Sequence, residues 1–327
     1  MPAPSGTCTS GRSVERMLRR LAQSIPLLLL VSIGVFVLIH AAPGGPTAVF
    51  LSNPGVRPED LERLRRALGV DQPLWLQYVR WLAAFVRGDW GYSFSDSRPV
   101  IERVLERAPA TFELVGVSLG AAAIAAFLSG TMAALARNRW PDRLIRGASA
   151  AAIAIPAFWF GLVLQLLFAA SLGWLPSSGR TTLGDGGFVD RVSHLVLPAT
   201  VLAGLHAAAW TRYVRASVID ALGQPFVWAA RARGVPDRRI LMRHVLRTAL
   251  LPVVTVVLLD TALLVSGAVV TESVFAWPGL GTLFTEALAR RDYPVLMAML
   301  MVASGAIIAV NAAADVIYTL LDPRVSV

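Results

Sequence analysis

Six stretches of this 327-residue chain are apolar for long enough to cross a lipid bilayer, and nothing else in the sequence restricts its fold as strongly. They cover residues 21–42, 111–135, 144–172, 195–210, 249–275 and 295–321. About 20 such residues traverse the hydrocarbon core as a helix. Composition agrees: 55% of residues are hydrophobic and 16% are charged, against about 25% charged in soluble domains. The first run follows Arg12, Arg16, Arg19 and Arg20 as a secretory signal would. It is too long for a signal's apolar region, however, and no small-residue cleavage site precedes Pro43. The expectation is an all-α integral membrane protein of six transmembrane helices. Pro26, Pro156, Pro198 and Pro252 are expected to kink or begin helices, as membrane helices tolerate.

Arginine placement orients the spans. The tail 1–20, the turn between spans two and three, the segment 213–248 with its flanks, and the tail 322–327 together hold 17 arginines against 5 acids. Basic excess in short flanks marks the cytoplasmic side, so both termini are expected inside. Segment 43–110 then lies outside, followed by a five-helix core over 111–321. Two amphipathic helices are expected in the outer segment. One is near 58–68, with Leu61, Leu64 and Leu68 on one face; the other covers 74–86, with Trp75, Tyr78, Trp81 and Phe85 at helical spacing. Those aromatics suit either a membrane interface or ordinary packing. Arginines that fringe membrane spans call for lipid and no nucleic acid.

The residue inventory excludes several chemistries. All 30 basic residues are arginine, so neither a phosphate-binding P-loop lysine nor a Schiff-base lysine exists. Any ATP hydrolysis, with its ATP and Mg, belongs to another chain, and no cofactor is expected in this one. His40, His194, His206 and His244 are too far apart in sequence for a His-Glu-x-x-His metal helix, and no metal site is expected. Gly116-Val117-Ser118-Leu119-Gly120 matches a hydrolase nucleophile elbow, but that motif needs a strand-to-helix turn and this copy lies inside an apolar span. Catalytic residues are therefore not expected. An ion-coupled secondary carrier is an alternative, although the internal repeats typical of such carriers are missing from the sequence.

The segment between spans four and five has its own pattern. Good helix formers run up to Gly234, which can end a helix, and Pro236-Asp237 can open another. A short helix projecting from a membrane domain suits insertion into another protein. It equally suits a basic surface lying on anionic lipid. Within the fifth span, Asp260 stands about 15 Å deep at roughly 1.5 Å per residue. A carboxylate there costs about 2.5–3.5 kcal/mol to insert, so it faces protein or water. It is either a pathway residue for cationic substrates, with Ser266, Gly267 and Thr271 further outward, or a hydrogen-bonded partner for a neighbouring helix.

The chain also resembles a known family. Trp228-Ala229-Ala230, six residues before Gly234, is similar to the Glu-Ala-Ala-x-x-x-Gly coupling loop of ABC-importer permeases, with tryptophan in place of glutamate. The order of Pro43-Gly44-Gly45-Pro46, Gly88-Asp89-Trp90-Gly91-Tyr92-Ser93, Ile155-Pro156-Ala157-Phe158-Trp159, Trp277-Pro278-Gly279-Leu280-Gly281 and Arg291-Asp292-Tyr293-Pro294 resembles the B-type subunit of the peptide/nickel branch. The resemblance implies a type I importer permease in a bacterial inner membrane. Its partners would be a homologous second permease, two ABC ATPase subunits and an extracytoplasmic solute-binding protein, and its substrate a di- or oligopeptide, with nickel or a glutathione-like solute as alternatives. It places Trp228, Ala229, Ala230, Gly234, Val235 and Arg238 in the ATPase-coupling loop. Gly91, Trp277, Gly279 and Leu280 are expected on the outer surface that receives the binding protein. Asp260 is a second departure, since the family usually carries a neutral amide there.

Overall fold

The computed structural model describes residues 9–41, 71–182, 184 and 186–321, with side chains left undescribed at 9–23, 251, 262–267 and 315–321. There is no β-strand among the described residues; the chain is helical nearly throughout. In chain order the helices are α1 (Thr9–Ala41), α2 (Leu74–Val86), α3 (Val100–Leu135), α4 (Trp140–Ala154) and α5 (Ala157–Leu164), the last running on as a π-helical turn, Gln165–Ser171. They continue as α6 (Phe188–Leu222), α7 (Pro225–Ala232), α8 (Asp237–Ile240, then a π-helical turn Leu241–Val245), α9 (Leu246–Val274), α10 (Leu280–Ala289) and α11 (Tyr293–Leu321). The helix expected near 58–68 lies outside the described residues.

Four helices, α1, α3, α6 and α11, are long and apolar enough to cross a membrane, and the number reaches six if each of two bent pairs counts as one span. Expected span 144–172 is one of those pairs: α4 and α5 meet at 102°. The break has a local cause. Pro156 supplies no N–H and disfavours helical geometry in the residue before it, and Ile155 is accordingly extended, with φ −83° and ψ 125°. The second pair bends by 44° at Pro252. Expected span 195–210 is the middle of a much longer helix, because the polar residues on either side continue α6 to Phe188 and Leu222.

The chain divides into two compact units. The first comprises residues 1–109 and 279–309. Its core joins Val35, Phe36 and Ile39 of α1 to Val100 and Val104, Leu283 and Ala287, and Val295 to Met299. Tyr78, Trp81 and Phe85 of α2 pack against this core, Tyr78 edge-on to Phe36 at 5.5 Å between ring centroids, whereas Trp75 is exposed. Three of the four α2 aromatics are thus packing residues. Residues 279–309 belong here through the buried Asp292. Its carboxylate accepts from Ser93 Oγ (2.5 Å), Phe94 N (3.1 Å) and Ser95 Oγ (3.1 Å), with the Arg103 guanidinium 3.6 Å away. Two of the motifs noted in the sequence, Gly88–Ser93 and Arg291–Pro294, are joined by this one side chain.

The second unit comprises residues 110–278 and 310–327. Here α6 is the central helix, packed on α4, α5 and α9. It also touches α3 closely: a Cβ at Gly130 would lie 2.6 Å from Val214 Cβ and 2.8 Å from the Thr211 carbonyl, so only glycine fits. Ser129 and Thr211 hydroxyls bond beside that contact at 2.8 Å. Ser118 of the elbow-like motif is buried within α3, in continuous helix and without the strand-to-helix turn a nucleophile needs.

Candidate functional site

The segment between α6 and α9 folds as the sequence pattern predicts, with one shift of boundary. Residues 213–222 are not loop but the end of α6, which stops at Gly223. Pro225 then opens α7 from its first turn, where its missing N–H is harmless. Gly234 ends α7 in the left-handed region, at φ +76°. Its N–H donates to the Arg231 carbonyl (2.9 Å) and the Val235 N–H to the Ala230 carbonyl (3.1 Å), the pair of bonds that defines a Schellman turn. Pro236 caps α8 from outside, and Arg231 Nε bridges the turn to Asp237 Oδ1 at 2.8 Å.

This hairpin has two faces. Val227, Ala230, Ile240 and Val245 are buried in the core of the second unit, and Val235 packs against them. The outward face carries Trp228, 66% exposed, and Met242, 62% exposed, among exposed Ala229, Gly234, Arg233, Arg238, Arg239 and Arg243. Of the six coupling residues expected from sequence, Trp228, Ala229, Gly234 and Arg238 face outward. Ala230 and Val235 hold the hairpin to the core instead. A tryptophan left two-thirds open on a short, buttressed helix is an anchor suited to another surface.

A second support was not legible from spacing. Asp142 at the start of α4 is fully buried and takes a bidentate contact from Arg215 of α6, at 2.6 Å to Nε and 2.8 Å to Nη2. The backbone N–H of Asn138 donates to the same carboxylate at 2.9 Å. This pair fixes the turn between α3 and α4 against the helix that leads into the hairpin.

Asp260 lies near the middle of α9 and is bonded to α6. Its Oδ2 accepts from Trp210 Nε1 at 2.7 Å and is bonded to His206 Nδ1 at 2.9 Å. His206 and Trp210 are one helical turn apart, so both reach a single carboxylate oxygen. The signal in the sequence was this i, i+4 pair of polar-tipped rings in an apolar helix. Thr271, expected further along the same path, is 2% exposed and packed within the unit, so it does not present itself to a path. Ser266 and Gly267 fall among the residues whose side chains are not described.

The outer-surface expectation needs a correction. Trp277 is 0% exposed, and its indole N–H donates to the Ala110 carbonyl at 2.8 Å. A side chain so enclosed locks the end of α9 to α3 and offers nothing to a partner. Gly279 is likewise buried, whereas Gly91 and Leu280 are half-buried. The exposed large side chain here is Tyr92, which follows the left-handed Gly91.

Comparison with known proteins bears on the whole chain. Residues 126–327 match the family described as binding-protein-dependent transport system inner membrane component, and residues 14–115 match its N-terminal membrane component. The oligopeptide transport system permease protein AppB of Bacillus subtilis is 39% identical over 94% of this chain and 98% of its own length. The glutathione transport system permease protein GsiC of Escherichia coli K12 is 37% identical over the same shares. A solved structure of the MetNI methionine ABC transporter, inward facing, superposes with a TM-score of 0.56 at 17% identity, covering 69% of this chain and 99% of that one. The chain belongs to the inner-membrane permease family of binding-protein-dependent transport systems, and it is a multi-pass permease subunit of an ABC importer.

Proposed function

We propose that the chain forms half of a translocation path for di- or oligopeptides and pairs with a homologous second permease, two ABC ATPase subunits and an extracytoplasmic binding protein. ATP and Mg would be held by the ATPases, to which the α7–α8 hairpin couples the spans. The observation that carries this is the outward face of the hairpin. Trp228, Met242 and exposed arginines project from a turn rigidly closed at Gly234 and bolted to the core by Val227 and Ile240. A push on such a hairpin is transmitted to α6 and α9 rather than absorbed locally. Trp228 makes an apolar anchor where the family motif carries a charge. The similarity to AppB favours peptide, and that to GsiC keeps a glutathione-like solute as the second reading. Asp260 is the proposed path residue, and Gly91, Tyr92 and Leu280 belong to the outer surface.

The deciding experiment is reconstitution with the partner subunits. Substrate-stimulated ATP hydrolysis is expected to fall at least tenfold in Trp228→Asp with the complex still assembled. Stimulation equal to that of the unaltered protein would remove the coupling assignment. Mass spectrometry of ligand carried by the copurified binding protein identifies the solute.

A further inference from the structure

The surroundings of Asp260 define more than a charge at depth. The second unit contains a half-open apolar pocket of about 360 Å³, lined by the exposed Ile124 and Leu128 as well as Phe127 of α3, Trp210 and Val214 of α6, and Val253, Val257 and Leu258 of α9. On α9, Val253, Val257 and Asp260 follow one another at spacings of four and three, which places them on one face. On α6, Val214, Trp210 and His206 do the same at four and four. His206 and Asp260 are not lining residues themselves; the link is Trp210, which lines the pocket and donates its indole N–H to Asp260. Asp260 gives Oδ2 to its two partners and keeps Oδ1 without a hydrogen bond among the described residues, on a side chain 22% exposed.

We infer that this is a binding site for a primary ammonium carrying an apolar side chain, with the ammonium at Asp260 Oδ1 and the side chain in the cavity. Three features select that ligand. In its ionised form a carboxylate only accepts hydrogen bonds, so the open oxygen can take a donor, and a cation is the strongest one at low dielectric. Two bonds on Oδ2, one donated by Trp210 and one shared with His206 Nδ1, fix the rotamer of the carboxylate, so Oδ1 is held in place before anything binds. The walls are apolar, and so repel a second charge and accept a hydrocarbon or ring. His206 and Trp210 are positioning residues in this scheme: they touch Asp260, and Asp260 touches the ligand. The inference deepens the proposed path, because every unblocked peptide carries such an ammonium. It rests on that reading only for the identity of the natural ligand.

The test uses the purified permease with its partner subunits and two probes, phenylalaninamide and its N-acetyl derivative, which lacks the ammonium. Thermal unfolding and calorimetric titration in detergent measure binding independently of transport. The unaltered protein is expected to bind and be stabilised by phenylalaninamide and not by the acetylated form. Asp260→Asn is expected to weaken that binding about 10- to 100-fold, the equivalent of one hydrogen bond to a charged group. Trp210→Phe, which removes one donor to Oδ2 only, is expected to weaken it less and to leave N-acetyl binding unchanged. Should Asp260→Asn fail to fold, Val257→Phe fills the cavity without touching the carboxylate and is expected to abolish binding of the ring-bearing probe while methylammonium binding survives. Equal binding of the two probes, or undiminished binding in Val257→Phe, overturns the site. A lower melting temperature in Asp260→Asn with unchanged probe affinity overturns it too, and leaves the carboxylate as a helix partner. ATP-driven peptide uptake by the unaltered complex is scored separately, so a complex that binds the probe yet moves no peptide refutes the peptide reading and not the site.

Discussion

Replacing Gly234 with alanine asks whether the end of α7 is a conformational requirement or a steric one. A Cβ at this position meets nothing within 4 Å, while the backbone sits at φ +76°. Space is therefore no obstacle, and the penalty is that of an L-residue in the left-handed region, about 1–2 kcal/mol. The chain can escape it only by giving up the bonds from Gly234 N to Arg231 O and from Val235 N to Ala230 O. Two backbone hydrogen bonds are worth about 1–3 kcal/mol net. The two routes are close in energy, so the variant is expected to populate both a native and an opened turn. Coupling should drop by about 2- to 10-fold rather than vanish, since 1.4 kcal/mol is a factor of ten. Because bulk is not the issue, leucine should behave like alanine, and asparagine, which tolerates this conformation, should do better than either. The assay is substrate-stimulated ATP hydrolysis by the reconstituted complex, with the basal rate measured for each variant. Full stimulation in both alanine and leucine variants refutes the coupling role. Leucine far worse than alanine refutes the conformational account and places another chain against Gly234.

Three further outcomes follow from burial and bonding. Asp142→Ala leaves Arg215 without its bidentate partner and is expected to cost about 3 kcal/mol, the figure for stranding one member of a buried pair; an unchanged thermal midpoint in detergent contradicts this. Trp277→Phe removes the indole bond to the Ala110 carbonyl and is expected to cost about 1–2 kcal/mol without altering affinity for the binding protein; weaker association at an unchanged midpoint would return Trp277 to the surface. Asp292→Ala removes the acceptor shared by Ser93, Phe94 and Ser95 and is expected to cost about 2–3 kcal/mol, read by faster proteolysis of the 89–99 loop; equal protection would show that other contacts hold that loop.

What could be read from the sequence was whatever repeats along a helix or is dictated by one residue's backbone. Apolar runs located the long helices, and Gly234 with Pro236 located the hairpin, because a left-handed glycine and a proline-opened helix carry their geometry with them. The break at Pro156 was foreseeable as a kink but not as a turn of 102°, since its size depends on what α5 packs against. Pairings across long sequence distance were not legible. Nothing in the spacing of Asp142 and Arg215, or of Ser93 and Asp292, announces that they meet. Trp277 shows the converse error. A tryptophan beside Pro278 and Gly279 reads as a loop residue on an outer surface, yet α3 supplies a carbonyl that receives its indole and closes over it.

The same distinction separates the two departures from the family pattern. Trp228 changes the chemistry of a surface: glutamate would offer a charge to whatever the hairpin meets, whereas an indole offers area and a single donor, so under the proposed coupling the facing groove would be apolar. Asp260 changes the chemistry of an interior. An amide at that depth can be satisfied by neighbours in either orientation, but a carboxylate demands donors, and α6 brings the Trp210 indole N–H and the His206 Nδ1 to it. A helix partner needs no more than that. The oxygen left without a hydrogen bond among the described residues, on a side chain whose partner Trp210 also lines an apolar pocket, is the feature that structural pairing does not account for, and it makes the aspartate a question about ligand chemistry as well as about packing.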